Sequence, residues 1–185
     1  MGTTLAASPR ALLGRRLVGI GVGALTVAAA AQVAAPVPFS PVPMTLQPLA
    51  VLAVGGILGA AGGVAALATY LTLGILGLPV FAGGSSGAVH LIGPTGGYLL
   101  AFPLAAGLTG ALVARGTGVL RTLGACALGM VVIHAGGIAQ LALLGGDAAA
   151  AFRVGFVPFL TGDLLKVGLA AAVILGLRPR IRPVN

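Results

Sequence analysis

Acidic residues are almost missing from this chain of 185 residues: it has only Asp147 and Asp163, and its one lysine is Lys166. Charged residues make up 6% of it, where a soluble domain has about 25%. So few charges could not cover a water-facing surface, which excludes a soluble globular protein. Cys126 is the one cysteine, so no internal disulfide can form, and inside an apolar segment it serves as a small packing residue. Two histidines, His90 and His134, and two scattered aspartates are poor material for a metal centre, and neither metal nor cofactor is expected. No G-x-x-x-x-G-K-[ST] occurs, so ATP is not bound as a P-loop binds it. The formal charge of +8 would fit a nucleic-acid partner, but the cations lie at the ends of apolar runs, which argues against one.

What is present is apolar: 58% hydrophobic residues, 32 Gly and a mean hydropathy of +1.16. Small residues let helices approach closely in lipid. Six apolar stretches are read as spans, at 17–35, 49–58, 64–78, 98–114, 123–144 and 156–177. The expected fold is an all-α integral membrane bundle of six helices. A basic segment (1–16) precedes a single membrane domain (17–178), and a short basic tail (179–185) follows. The first stretch also resembles a signal peptide, with Arg15 and Arg16 before an apolar run, but its length and the spans after it favour an uncleaved helix. Ala6 stands where myristoylation needs Ser or Thr. Ala24 and Ala28 form a small-xxx-small pair that another helix could approach, or that simply packs within an Ala-rich helix. The second stretch is short, reaching spanning length only if it starts near Thr45, and GAAGG at 59–63 separates it from the third.

Two connections are irregular. Pro36, Pro38, Pro41, Pro43 and Pro48 in PVPFSPVPMTLQP cannot continue a helix and favour extended backbone; Gln47 there offers donors and an acceptor. PVFAGGSSGAVHLIGPTGGY at 79–98 is rich in glycine and nearly uncharged. Such backbone is tolerated at membrane depth only where protein or a water-filled cavity satisfies it. A plain connection at 145–153 holds Asp147 and Arg153. With six spans, eight arginines (10, 15, 16, 115, 121, 178, 180 and 182) fall on one side and Arg153 on the other. The positive-inside rule then puts both termini in the cytoplasm and both irregular loops outside. Arg and Ala/Gly usage points to a bacterium with a GC-rich genome, and so to its inner (plasma) membrane.

Asp163 and Lys166 are three residues apart, on one face of the last stretch. If that helix enters near Val157, a rise of 1.5 Å per residue sets Lys166 roughly 14 Å deep. An ion there costs at least about 2.5–3.5 kcal/mol, so the pair should face the bundle interior or a polar cavity. It either locks two helices together or binds a polar ligand. His90 reads as a polar loop residue and His134 as a hydrogen-bonded core histidine or a group lining a site. Gly84-Ser85-Ser86-Gly87 fits the G-x-S-G of rhomboid-type intramembrane serine proteases, with His134 as base. Against that, Ser86 lies in an outer loop while His134 is mid-span, and a Ser/His pair needs hydrogen-bond reach; the Trp-Arg first-loop feature of rhomboids is also lacking. No second inverted half and no further in-span charge supports coupling to an ion gradient. A small-molecule binding subunit energised by other chains explains more of the chain.

PVPMTLQ at 41–47, GLPVFAGG at 77–84, GPTGGYLL at 93–100 and PFLTGDLLK at 158–166 occur in an order that resembles the BioY family over about residues 17–178. These are biotin-specific substrate-binding S components of energy-coupling factor (ECF) transporters. The resemblance implies a six-helix S-component fold with an outward-facing biotin pocket. It also implies assembly with a membrane T component and two cytoplasmic ATPases, which would carry out the hydrolysis; this chain itself would not be an enzyme. The family's acidic and lysine positions match Asp163 and Lys166. Gln47, Thr45, Gly84, Ser85, Ser86 and Tyr98 are the further substrate-binding candidates, and the Ala24/Ala28 face is similar to the T-contacting surface. The second loop reads GGSSG where G-G-x-G-G is expected. An S component for another vitamin, a homo-oligomer and a chain working alone remain open alternatives.

Overall fold

The computed structural model describes residues 9–116 and 118–178, so residues 1–8, residue 117, and the tail with Arg180 and Arg182 lie outside the described part. Helix α1 (Pro9–Gln32) starts well before residue 17, with Pro9 at the first position, where its missing N–H costs nothing. Residues 9–16, read as part of the basic lead, therefore already belong to a helix. A two-residue antiparallel clip follows: β1 (Ala34–Ala35) pairs with β2 (Met44–Thr45), Ala34 opposite Thr45. It closes the proline-rich loop into an ordered Ω shape.

Helical backbone then runs continuously as α2 (Gln47–Ile75), except at Gly59, whose φ of 77° and ψ of 177° are open essentially to glycine alone. The chain reverses there. A straight helix would set Gln47 and Tyr70 about 35 Å apart, yet Gln47 Nε2 donates to the Tyr70 hydroxyl at 2.7 Å. A Cβ on Gly63 would likewise lie only 2.9 Å from Gly55 Cα. The expected break within GAAGG is therefore a helical hairpin with its bend at the first of these residues. Its first arm, 47–58, is about 18 Å long. It starts at Gln47, ahead of the expected Leu49, with Leu46 as its N-cap.

After a 3-10 turn (Ala82–Gly84) and the short α3 (Val89–Ile92), α4 (Gly96–Ala114) and α5 (Val119–Gly145) cross the bundle. These two cross closely where Gly97 and Gly136 face each other: a Cβ on Gly136 would sit 2.5 Å from the Gly97 carbonyl oxygen. The connection expected at 145–153 is instead mostly a helix, α6 (Ala148–Gly155). Asp147 caps it, accepting from Ala149 N at 2.8 Å and Ala150 N at 3.1 Å. These N–H donors, Ala150 first, hold the Asp147 carboxyl below the usual range. A second 3-10 turn (Val157–Phe159) leads into α7 (Leu160–Leu177).

Five helical stretches are long and apolar enough to cross a membrane, the doubled-back Gln47–Ile75 and the composite Ala148–Leu177 among them. The chain is a multi-pass membrane protein with an all-helical body. Its interior holds Val27, Leu52, Leu67, Tyr70, Phe81, Ile133 and Ile174, while Leu17, Leu104, Leu120, Leu143 and Leu164 point outward. That outward apolar surface suits lipid. At one end Arg121 bonds the Arg115 carbonyl and Arg178 bonds that of Val113, joining the ends of α4 and α7. At the other end the two irregular loops meet.

Candidate functional site

Lys166 Nζ donates to Asp163 Oδ1 at 2.8 Å, one turn away on α7, and both side chains are buried (residue exposure 6% and 4%). The pair is not alone. His134, on α5, sets its Nε2 2.6 Å from Asp163 Oδ2. Its Nδ1 lies 3.2 Å from the carbonyl oxygen of Gly155, which also accepts from the Tyr98 hydroxyl at 2.6 Å. The Gly97/Gly136 crossing brings Tyr98 on α4 beside His134 on α5, with ring centroids 6.0 Å apart, edge to face. Phe156 takes another edge of the imidazole at 5.0 Å. One carboxylate thus holds two potential cations, and aromatic rings fence one of them.

The cluster opens into a cavity of about 300 Å³, at the lower end of small-molecule sites. The proline-rich loop contributes one wall through Val42, Pro43, Thr45 and Gln47. The second loop contributes Phe81, Ala82, Ser85, His90 and Thr95, and the apolar floor is Leu99, Phe102, Ile133 and Phe159. The second loop is pinned rather than draped. Gln32 Nε2 donates to the Phe81 carbonyl at 3.3 Å, and Gln140 Nε2 to those of Leu91 and Gly93 at 2.9 and 2.7 Å. Phe81 is fully buried between Tyr70 and His90, its ring seated where Gly74 has no side chain.

Of the eight substrate-binding candidates, Asp163, Lys166, Gln47, Tyr98, Thr45 and Ser85 line this one cavity. Gln47 and Thr45 form a second polar group: the Thr45 hydroxyl donates to Gln47 Oε1 at 3.1 Å and accepts from the Gln47 backbone N at 3.2 Å. Ser85 Oγ donates to the Ala82 carbonyl at 2.8 Å, and Tyr98 spends its proton on Gly155, so each can offer a ligand an acceptor. Gly84 and Ser86 sit in the second loop outside the lining, Gly84 at a φ of +74° that shapes its turn. A protease pair is poorly served here. Both ring nitrogens of His134 are engaged, and Ser86 is not on the cavity.

Ala24 and Ala28 are buried within the chain, at 2% and 9% exposure. Beside them, Gly23 fits against Val54, Leu58 and Ala66 of α2. This small-residue stripe is therefore taken up inside the bundle, a correction to its reading as a partner-facing surface.

The BioY family model matches residues 4–183. The chain belongs to the BioY family. Among relatives of this BioY-family chain, the "Biotin transporter BioY" of Thermotoga maritima is 38% identical over 164 residues, covering 89% of this chain and 96% of that one. The "Probable biotin transporter BioY" of Pyrococcus horikoshii is 41% identical over 136 residues, 74% of this chain and 79% of the other. A crystal structure of the S-component for biotin from an ECF-type ABC transporter superposes with a TM-score of 0.86 at 25% identity, covering 94% of this chain and 95% of that one.

Beyond the eight substrate-binding candidates, the BioY-family site has His134 against Asp163, His90 and Phe81 on the second-loop wall, and Tyr70 behind Gln47. His134 carried a signal, as a polar group mid-span. Its pairing with Asp163, 29 positions along the chain, carried none. Tyr70 read as part of an apolar stretch.

Proposed function

We propose that this chain is the biotin-binding S component of an ECF-type transporter in a bacterial plasma membrane. The observation that carries this reading is the Asp163–Lys166–His134 cluster opening into a mostly apolar cavity under both Gly/Pro-rich loops. Biotin has an apolar bicyclic body, a ureido group with two N–H donors and a carbonyl, and a carboxylate tail. The cavity is complementary to that mixture: Asp163 accepts a ureido N–H, and Lys166 holds the ureido carbonyl or the carboxylate. Gln47, Thr45, Ser85 and Tyr98 add neutral hydrogen bonds, while Gly84 and Ser86 shape the loop above.

The helical hairpin bent at Gly59 supports counting two traverses in Gln47–Ile75, which makes six spans and returns both termini to the cytoplasmic side. The T component and two ATPases would join from that side and supply the hydrolysis that drives release. The T component would then meet exposed helix surface other than the buried Ala24/Ala28 stripe.

The test is equilibrium binding of biotin to the purified protein in detergent, with thiamine and riboflavin as controls. Saturable binding of biotin alone is expected, nearly lost in Asp163→Asn and Lys166→Ala. Binding of a control vitamin instead would make this an S component of other specificity, and wild-type affinity in both variants would remove the site from this cluster.

A further inference from the structure

The contacts of His134 fix more than its orientation. A backbone carbonyl only accepts, so the hydrogen bond to Gly155 oxygen requires a proton on Nδ1. A neutral imidazole then has no proton left for Nε2, yet Nε2 lies 2.6 Å from a carboxylate oxygen. A proton must sit between them, on one atom or the other. Lys166 donates to the second oxygen of the same carboxylate, and an ammonium there favours the ionised acid. We infer that His134 is a doubly protonated imidazolium in the folded site, and that this proton, through Asp163, gives the cavity the net positive charge with which it holds an anionic ligand.

The charge count is short. Lys166 and His134 each contribute one positive charge and Asp163 one negative, leaving a net charge of +1 in a cavity with no other carboxylate on its wall among the described residues. The remaining titratable groups around it are few. Tyr98 of α4 faces His134 and donates to the same carbonyl; His90 lies on the second-loop wall; Tyr70 stands behind Gln47. From α6 and the turn after it, His134 meets the Gly155 carbonyl, Phe156 and Phe159, none charged. The proton shared between His134 and Asp163 is thus what leaves the cluster cationic. In so small a cavity a ligand carboxylate feels that charge wherever along the wall it lies, because charges out of water are weakly screened.

This deepens the biotin reading and rests on it for the ligand. Its test has two readouts. The first needs no ligand: nitrogen NMR of histidine-labelled protein, with His134 assigned by its loss in His134→Gln. Two protonated ring nitrogens are expected; a neutral ring at the pH where biotin binds would overturn the inference. The second compares biotin with its uncharged primary amide. His134→Gln should weaken biotin at least tenfold and its amide by clearly less. Equal losses for both ligands would mean a merely structural histidine, and unchanged biotin affinity would mean no role; either result overturns the inference. If the wild type binds neither ligand, the biotin reading fails, and the NMR result still decides whether His134 is an imidazolium.

Discussion

Asp163 is the residue on which the site's electrostatics turn, because it is the one anion between Lys166 and His134. Removing it differs in kind from removing Lys166. Asp163→Asn leaves two buried cationic groups facing each other with no counter-charge, whereas Lys166→Met leaves Asp163 still bonded to His134. Breaking a buried pair by deleting one partner costs about 3–5 kcal/mol. The aspartate variant should lie at the upper end of that range and the lysine variant below it. Thermal unfolding in detergent checks the order: Asp163→Asn is expected to melt lower than Lys166→Met, with biotin binding lost in both. The double variant should melt above Asp163→Asn, since it removes one stranded cation. A double variant melting lower than either single one would mean that the three groups do not act as one cluster.

Helices and turns decide whether those side chains meet, and Gly59 is the sharpest case. A Cβ there meets open space, so the obstacle to Gly59→Ala is the backbone alone, at φ 77° and ψ 177°. Strain of this kind costs about 1–3 kcal/mol. The variant should lower the melting temperature and weaken the Gln47–Tyr70 contact that the bend creates. If Gly59→Ala melts like the parent and binds biotin with the same affinity, the hairpin is not held by glycine's freedom. At the start of α6, the lowered Asp147 carboxyl implies a pH effect with a definite sign. Ionised Asp147 caps the helix best, so the cap is intact above the usual carboxylate range and is lost as pH falls through the depressed folded value. Protection of the α6 amides against hydrogen exchange, taken relative to the intrinsic rate at each pH, should fall on acidification in the parent and change less in Asp147→Asn, which can cap without a charge. Equal acid sensitivity in both would assign the effect to another group.

These elements also show what the sequence made legible. GAAGG marked the break in α2 because glycine clusters interrupt helices, and the i,i+3 spacing marked Asp163 and Lys166 as one face. Asp147 followed by four alanines (148–151) is an N-cap signature, but the helix it starts has only 8 residues, short enough to read as a connection. The His134–Asp163 contact and the inward turn of the Ala24/Ala28 stripe depend on how helices pack, which single-helix periodicity does not encode.

Across the bundle, the described arginines other than Arg153 and the cavity separate to opposite ends, and this carries the last prediction. Arg115 and Arg121 flank the α4–α5 turn, and Arg178 reaches Val113 at the end of α4. Arg15 and Arg16 stand near the start of α1, whose far end at Gln32 bonds the second loop. Cations gathered at one end favour that end in the cytoplasm, so the cavity and its two loops should open outward, where a scarce vitamin is met. The native thiol, Cys126, is buried and can be removed as Cys126→Ala to give a clean background. In that background Ala88→Cys, in the second loop, should react with a membrane-impermeant maleimide on intact cells, and Gly118→Cys, in the α4–α5 turn, only after the membrane is opened. Saturating biotin should slow labelling at position 88 if the loops tighten over the ligand, and should leave position 118 unchanged. The reverse pattern of accessibility would invert the molecule and make the cavity a cytoplasmic release site, incompatible with capture from outside.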